Sequence, residues 1–338
     1  MKRKSHIPFS GTTVRLLCLY LLLGGIGQGL TACSSSSPAD DTEEDLPLQL
    51  SAGGEIFAQP ETRAGNLPEE AFTATVYRST EQGEYADLTG EWEGSREAAV
   101  GTDGKMVWSG MPPFPSYPRY GDWIYVVAVS PSPASFSAGT VSYTLTGVQD
   151  LLYAPEMKGN RWDGYRFYGN TAGMGLGDRP LVFSHLLTRI QFKAKKKIAD
   201  GVAVKVTKVT VTGVQNSVSL PLAPDSGGKA SPTFSGNADL SWTAPDGGVE
   251  VADAVSPIDL GTLLLPPLDS GTYALTVETS VGTYSNVSIG FGSTSGPSPF
   301  QAGVSHIVTL EVSDYELEVG SVTVSAWTLV PVDGDLIL

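Results

Sequence analysis

Cysteine and histidine are nearly missing from this chain, with 2 Cys and 3 His among 338 residues. Cys18 and Cys33 both lie close to the N-terminus, so no disulfide framework and no Cys-based metal site can be assembled downstream. His6 belongs to the basic leader described below. That leaves His185 and His306, each on or beside an apolar strand candidate, where a satisfied imidazole is the expected role. There is no His-Glu-x-x-His and no nucleophile elbow. Gly173-Met174-Gly175-Leu176-Gly177 lacks the spacing of a phosphate loop, because Asp178 stands where a further Gly is needed. Ser226-Gly227-Gly228-Lys229 fits Ser-x-x-Lys but sits in a Gly-rich loop without a helix. No residue is nominated for catalysis, no cofactor is expected, and the chain is not expected to be an enzyme.

Positive charge is also scarce. The formal net charge is −15, and removing a leader that carries Lys2, Arg3, Lys4 and Arg15 takes it to −19. Such a balance opposes nucleic-acid binding and attraction to anionic lipid heads. Membrane association would need a different handle.

That handle is at the N-terminus. The basic residues precede an apolar run from Leu16 to Leu30, too short for a secure bilayer span and ordered like an export signal. Leu30-Thr31-Ala32-Cys33 is similar to a bacterial lipobox, in which the Cys thiol is acylated and becomes the first residue. A plain signal peptide with a chance Cys is the competing reading. Residues 1–32 would then be the signal peptide. From Ser34 to Asp45 the chain is Ser-rich and acidic with no large apolar side chain, as expected of a solvated tether over residues 33–45.

What the chain has in quantity is Gly, Pro, Thr, Val and Ser, with 39 Gly and 23 Pro. Few long helix-forming runs occur, and short alternating segments recur between turn residues, the mark of an all-β protein. Leu48 and Leu50 alternate with polar neighbours, predicting a strand over Leu46–Ala52 that Gly53 and Gly54 break. Phe72, Ala74 and Val76 repeat the pattern. Between them Pro60-Glu61-Thr62-Arg63-Ala64-Gly65-Asn66 reads as an exposed connection where proteolysis concentrates. Trp123 to Val129 is a continuous apolar run, short enough for a buried strand. Further strands are expected at Val141–Leu145 and Asp150–Ala154, then a long Gly-rich, aromatic loop over residues 158–179.

Pro180 to Lys195 is expected to be a strand with Ile190, Phe192 and Ala194 on its buried face. Val202, Val204 and Val206 share one parity while Val209 and Val211 have the other, predicting a bulge near Thr207-Lys208. After a Gly-, Ser- and Pro-rich region from 224 to 248, strands are expected at Leu263–Leu265, Tyr273–Thr279, Val287–Phe291 and His306–Val312. The segment from Val322 alternates and shifts register near Trp327. Two blocks of short strands suggest two β-sandwiches in tandem, over residues 46–179 and 180–338.

Several of these features, taken in order, resemble the fimbrillin family, the lipoprotein precursors of type V pili in Bacteroides-like bacteria. They are Leu30-Thr31-Ala32-Cys33, Thr62-Arg63-Ala64 after a first strand, Tyr117-Pro118 followed by Gly121-Asp122-Trp123, and Leu151-Leu152-Tyr153-Ala154. Leu181 to Ile190 and Val322 to Trp327 complete the series. The resemblance implies two transthyretin-like Greek-key sandwiches, a lipid on Cys33, and an outer-membrane precursor later released into an extracellular fimbrium. It also implies a cut by an arginine-specific surface protease between Arg63 and Ala64, expulsion of the strand carrying Leu48 and Leu50, and its replacement by the tail of another pilin subunit. The donor would come from the segment containing Val322, Val324, Ala326, Trp327 and Leu329. A surface glycan-binding lipoprotein is the alternative, because Tyr117, Tyr120, Trp123, Trp162, Tyr165 and Tyr168 supply rings on which sugars could stack.

Overall fold

The computed structural model describes residues 44–54, 71–171, 177–199, 201–268, 271–290, 300–313 and 317–326. Among them the regular structure is β, apart from two three-residue 3-10 turns at Arg119–Gly121 and Pro245–Gly247. The first body is a closed ring. Strand β1 (Leu50–Gly54) is followed by β2 (Phe72–Ser79), β3 (Gly94–Val100), β4 (Lys105–Trp108) and β5 (Ile124–Ser130). Two later strands, β8 (Leu152–Gly159) and β9 (Leu181–His185), complete the ring, whose order is β1-β4-β3-β2-β5-β8-β9. Pairing of β9 with β1 closes it, and this contact is parallel.

Period-two patterning explains why β5 is apolar from Ile124 to Val129. Ile124, Val126 and Ala128 point into the ring's own core with Leu48, Leu50, Val76 and Phe183. Val127 and Val129 point the other way, into a second core with Ile190, Phe192, Val209 and Leu263. Strand β8 repeats the division, with Leu152 and Ala154 in the first core and Tyr153 in the second. Over Val126–Val129 and Leu152–Ala154 the β5-β8 wall is thus buried on both faces, which accounts for its continuous apolar sequence there.

A small sheet joins the two halves. Strands β6 (Ser135–Ser137) and β7 (Thr140–Thr144) extend from the ring, and β7 pairs with β12 (Ser217–Pro221), which pairs with β13 (Thr233–Ser235). Single bonds reinforce the seam. Leu145 N donates to Asn216 O at 2.7 Å, and Leu264 N donates to Gly147 O at 2.8 Å. The Tyr153 hydroxyl donates to Leu222 O at 2.9 Å.

The second body is two facing sheets. One holds β10 (Thr188–Lys196) between β16 (Ile258–Leu265) and β19 (Val304–Val312), with β20 (Leu317–Ala326) at its edge. The other is built on β11 (Val204–Val214) with β14 (Ala238–Thr243), β15 (Val249–Val251), β17 (Tyr273–Thr279) and β18 (Thr283–Ile289). Ile190, Phe192 and Ala194 are buried as their alternation requires, while Lys193 and Lys195 reach Asp259 and Glu311 at 3.0 Å on the wet face. The expected bulge is present: the β11 to β17 register shifts between Val206 and Lys208.

Several element boundaries differ from the sequence expectation. The single strand expected over Pro180–Lys195 is two strands in different sheets, because the chain turns at Leu186-Leu187 from the ring to the second body. Gly53 and Gly54 continue β1 instead of ending it, pairing with Val182 and Phe183. A Cβ on Gly53 would lie 3.3 Å from the Pro180 ring, so glycine permits this close approach. Strands β3, β13 and β14 fall in polar or Gly-rich sequence where no strand was expected.

Candidate assembly site

The first described segment is the natural focus, because it closes the ring. Leu48 and Leu50 are 0% and 1% exposed, so both apolar residues of the alternation are fully buried. Three sets of backbone bonds hold the segment in sequence. At its start Tyr117 N donates to Leu46 O at 2.9 Å, Leu48 N donates to Pro115 O at 2.8 Å, and Pro47 is bridged to Ser116. In its middle Leu50 and Ser51 pair with Met106 and Lys105, and Ala52 N donates to Gly104 O at 2.7 Å. At its end Ala52 to Gly54 pair with Leu181 to Phe183. The Trp108 indole adds a donation to Leu48 O at 2.7 Å.

Cationic side chains stand at the entrance. Arg119 contacts the Asp45 carboxylate at 3.2 Å, and Arg161 donates to the Glu44 carbonyl at 3.1 Å. A cavity of about 300 Å³ adjoins them, lined in part by Asp45, Arg78, Arg96, Pro115 and Ser116. Arg78 donates to the carbonyls of Trp92 and Glu93 at 3.2 Å, and burial first, then nearby Arg96, bring its pKa down to about 10. The Arg96 guanidinium caps the carbonyls of Ser109, Met111 and Pro113, holding the Pro-rich segment against which residues 46–48 lie.

The other expected site residues are spread out. Val322, Val324 and Ala326 lie on β20, paired with Val308, His306 and Val304 of β19 in the same chain. Trp327 and Leu329 lie outside the described residues, as do Cys33, Arg63 and Ala64. His306 is buried against the Phe300 ring at 4.9 Å, and burial lowers its pKa. His185 Nδ1 meets Asp150 Oδ2 at 2.8 Å. Among the described residues no group of three His, Cys, Asp or Glu side chains could hold a metal ion.

The aromatic residues divide. Tyr117 is buried and accepts the Phe167 N–H at 2.9 Å, so it presents no ring to a sugar. Tyr120, Trp162 and Tyr165 are exposed. Trp162 lies over Gly121, where a Cβ would collide with the indole, and Trp123 meets Tyr165 edge-on at 5.6 Å.

A fimbrillin-like family model matches residues 62–327, most of the chain. The chain belongs to the fimbrillin-like family. Solved structures agree on the fold. A candidate cell adhesion protein of Bacteroides uniformis aligns with a TM-score of 0.53 at 15% identity, covering 84% of this chain and 99% of that one. Another from Bacteroides ovatus aligns with a TM-score of 0.55 at 14% identity, covering 85% and 100%. No curated protein matches the chain by sequence. The fimbrillin-like match begins at Thr62, so β1 precedes the matched residues.

Proposed function

We propose that this chain is the lipidated precursor of a fimbrial subunit that polymerises by exchanging its first strand. Cys33 carries the lipid, a surface protease cuts between Arg63 and Ala64, and the ring loses β1. The tail of another subunit, within residues 322–338, fills the vacated seat. The two bodies correspond to tandem transthyretin-like sandwiches, and the role is structural and adhesive.

The observation that carries this reading is the position of β1. Among the described residues it is the first strand, it closes the ring, and no other described strand lies on the N-terminal side of Arg63. Removing it would expose two Leu seats and the unpaired edges of β4 and β9, which is an invitation to strand addition. Burial of Leu48 and Leu50 is worth roughly 3–6 kcal/mol as an upper estimate. Ladder bonds add about 1 kcal/mol each, offset by ordering the incoming segment.

Digestion of the purified precursor with an arginine-specific protease, followed by mass and size measurement, tests this. One preferred cut after Arg63 and a ladder of oligomers are expected, both abolished by Arg63→Ala. A second reading rests on the exposed Tyr120, Trp162 and Tyr165 rings: a glycan-binding surface lipoprotein. It takes over if the cut protein stays monomeric and binds glycans in a manner lost on Trp162→Ala.

A further inference from the structure

The strand-exchange reading leaves open which tail residues enter and in what register. Resting on that reading, we infer that the incoming segment is Val332–Leu338 of a second copy, seated with Asp333 against Arg119 and with Leu336 and Leu338 in the places of Leu48 and Leu50.

Alternation restricts the possibilities first. The resident segment buries its even-numbered residues, Leu48, Leu50 and Ala52, and leaves Asp45, Pro47 and Gln49 exposed. The tail reads Val332-Asp333-Gly334-Asp335-Leu336-Ile337-Leu338, with apolar residues or Gly at even positions and both carboxylates at odd ones. An odd slip would bury Asp333 and Asp335 in an apolar core, which is prohibitive without a partner.

Seat size restricts it further. Leu48 and Leu50 occupy the two fully buried large seats. Placing Leu336 and Leu338 there conserves both volumes. Moving the tail two residues forward puts Gly334 in the Leu48 seat and leaves a void. Moving it two residues back spends Leu336 on the half-buried position of Leu46.

Charge then selects the same arrangement. With Leu336 and Leu338 seated, Asp333 falls where Asp45 meets Arg119. The Arg161 bond to the Glu44 carbonyl addresses backbone, so Val332 accepts it equally well. Reversing the strand and keeping Leu336 in either buried Leu seat brings neither Asp to Arg119, so the tail runs in the direction of the resident strand. Val322 to Ala326 pair with β19 in this chain, so the inferred donor is drawn from the sequence beyond them.

Cysteine pairing tests the register. Pro47 is bridged to Ser116, and both are at least partly exposed, so Ser116→Cys leaves the core intact. In the inferred seating Asp335 takes the place of Pro47. Full-length precursors carrying Ser116→Cys with Asp333→Cys, Asp335→Cys or Ile337→Cys are cut, assembled and oxidised. Cleavage at Arg63 removes Cys33, so no native thiol competes. A disulfide needs Cβ atoms about 3.5–4.5 Å apart, and diagonal neighbours on paired strands are ~7–8 Å apart. The 116–335 pair is therefore expected to predominate as an intersubunit crosslink. Predominance of 333 or 337 in assembled material overturns the register while leaving strand exchange intact. Absence of oligomers overturns both.

A charge swap supplies an independent readout. Asp333→Arg leaves the resident strand untouched and is expected to slow assembly roughly two- to five-fold. Adding Arg119→Asp to it restores the rate. An unchanged rate for Asp333→Arg, or no restoration in the double variant, contradicts the pairing.

Discussion

Tyr117 ties the entrance of the ring to a loop fifty residues away, through the Phe167 N–H it accepts. Burial pushes its pKa up to about 12, and burial does the same to Tyr77. Both phenols have an ordinary value of 10.0. A folded value raised above the unfolded one means that their contribution is complete below pH ~10 and is lost as pH rises toward ~12. Urea midpoints measured across that window are expected to fall steeply. Tyr117→Phe removes part of the slope and, by orphaning the Phe167 N–H, costs about 1–3 kcal/mol at neutral pH. A Tyr in a Tyr-Pro pair can be seen in the sequence. That its hydroxyl faces inward cannot, because the bond is made to backbone brought near only by the fold.

Strand β1 shows what alternation reveals and what it conceals. The burial of Leu48 and Leu50 was legible from their spacing, whereas the two partners of β1 were not. One of them, β9, is read from sequence as the start of a longer strand, since Leu186-Leu187 are as apolar as their neighbours. Only the tertiary switch between bodies breaks that run. The bulge in β11 is different, because a parity slip among valines is itself local information. Energetically β1 rests on few seats. Leu50→Ala is expected to destabilise the uncut precursor by about 2–5 kcal/mol in a denaturant titration. After cleavage the same variant sheds the segment ending at Arg63 faster than the parent does, which timed mass measurement would record.

At the scale of the whole molecule the two bodies share a wall. Strands β5 and β8 place alternate residues in each core, and β7 with β12 makes a sheet from both halves. An interface of this kind couples the bodies, so the precursor is expected to unfold in one calorimetric transition. Two separated transitions would show that the shared wall carries little energy. The block structure of the sequence suggested two sandwiches but hid the wall, since an apolar strand looks the same whether one core or two surround it. Such coupling would suit the proposed filament, because opening the ring at β1 would leave the β5-β8 wall shared with the second body.

The replaceability of β1 is the central claim, and the composition of the assembled particle tests it most directly. Oligomers formed after arginine-specific cleavage, purified by size and dissociated for intact mass, are predicted to contain a chain that begins at Ala64 and no peptide spanning residues 46–54. Recovery of that peptide in one-to-one ratio with the cut chain, still seated in the oligomer, would contradict the account.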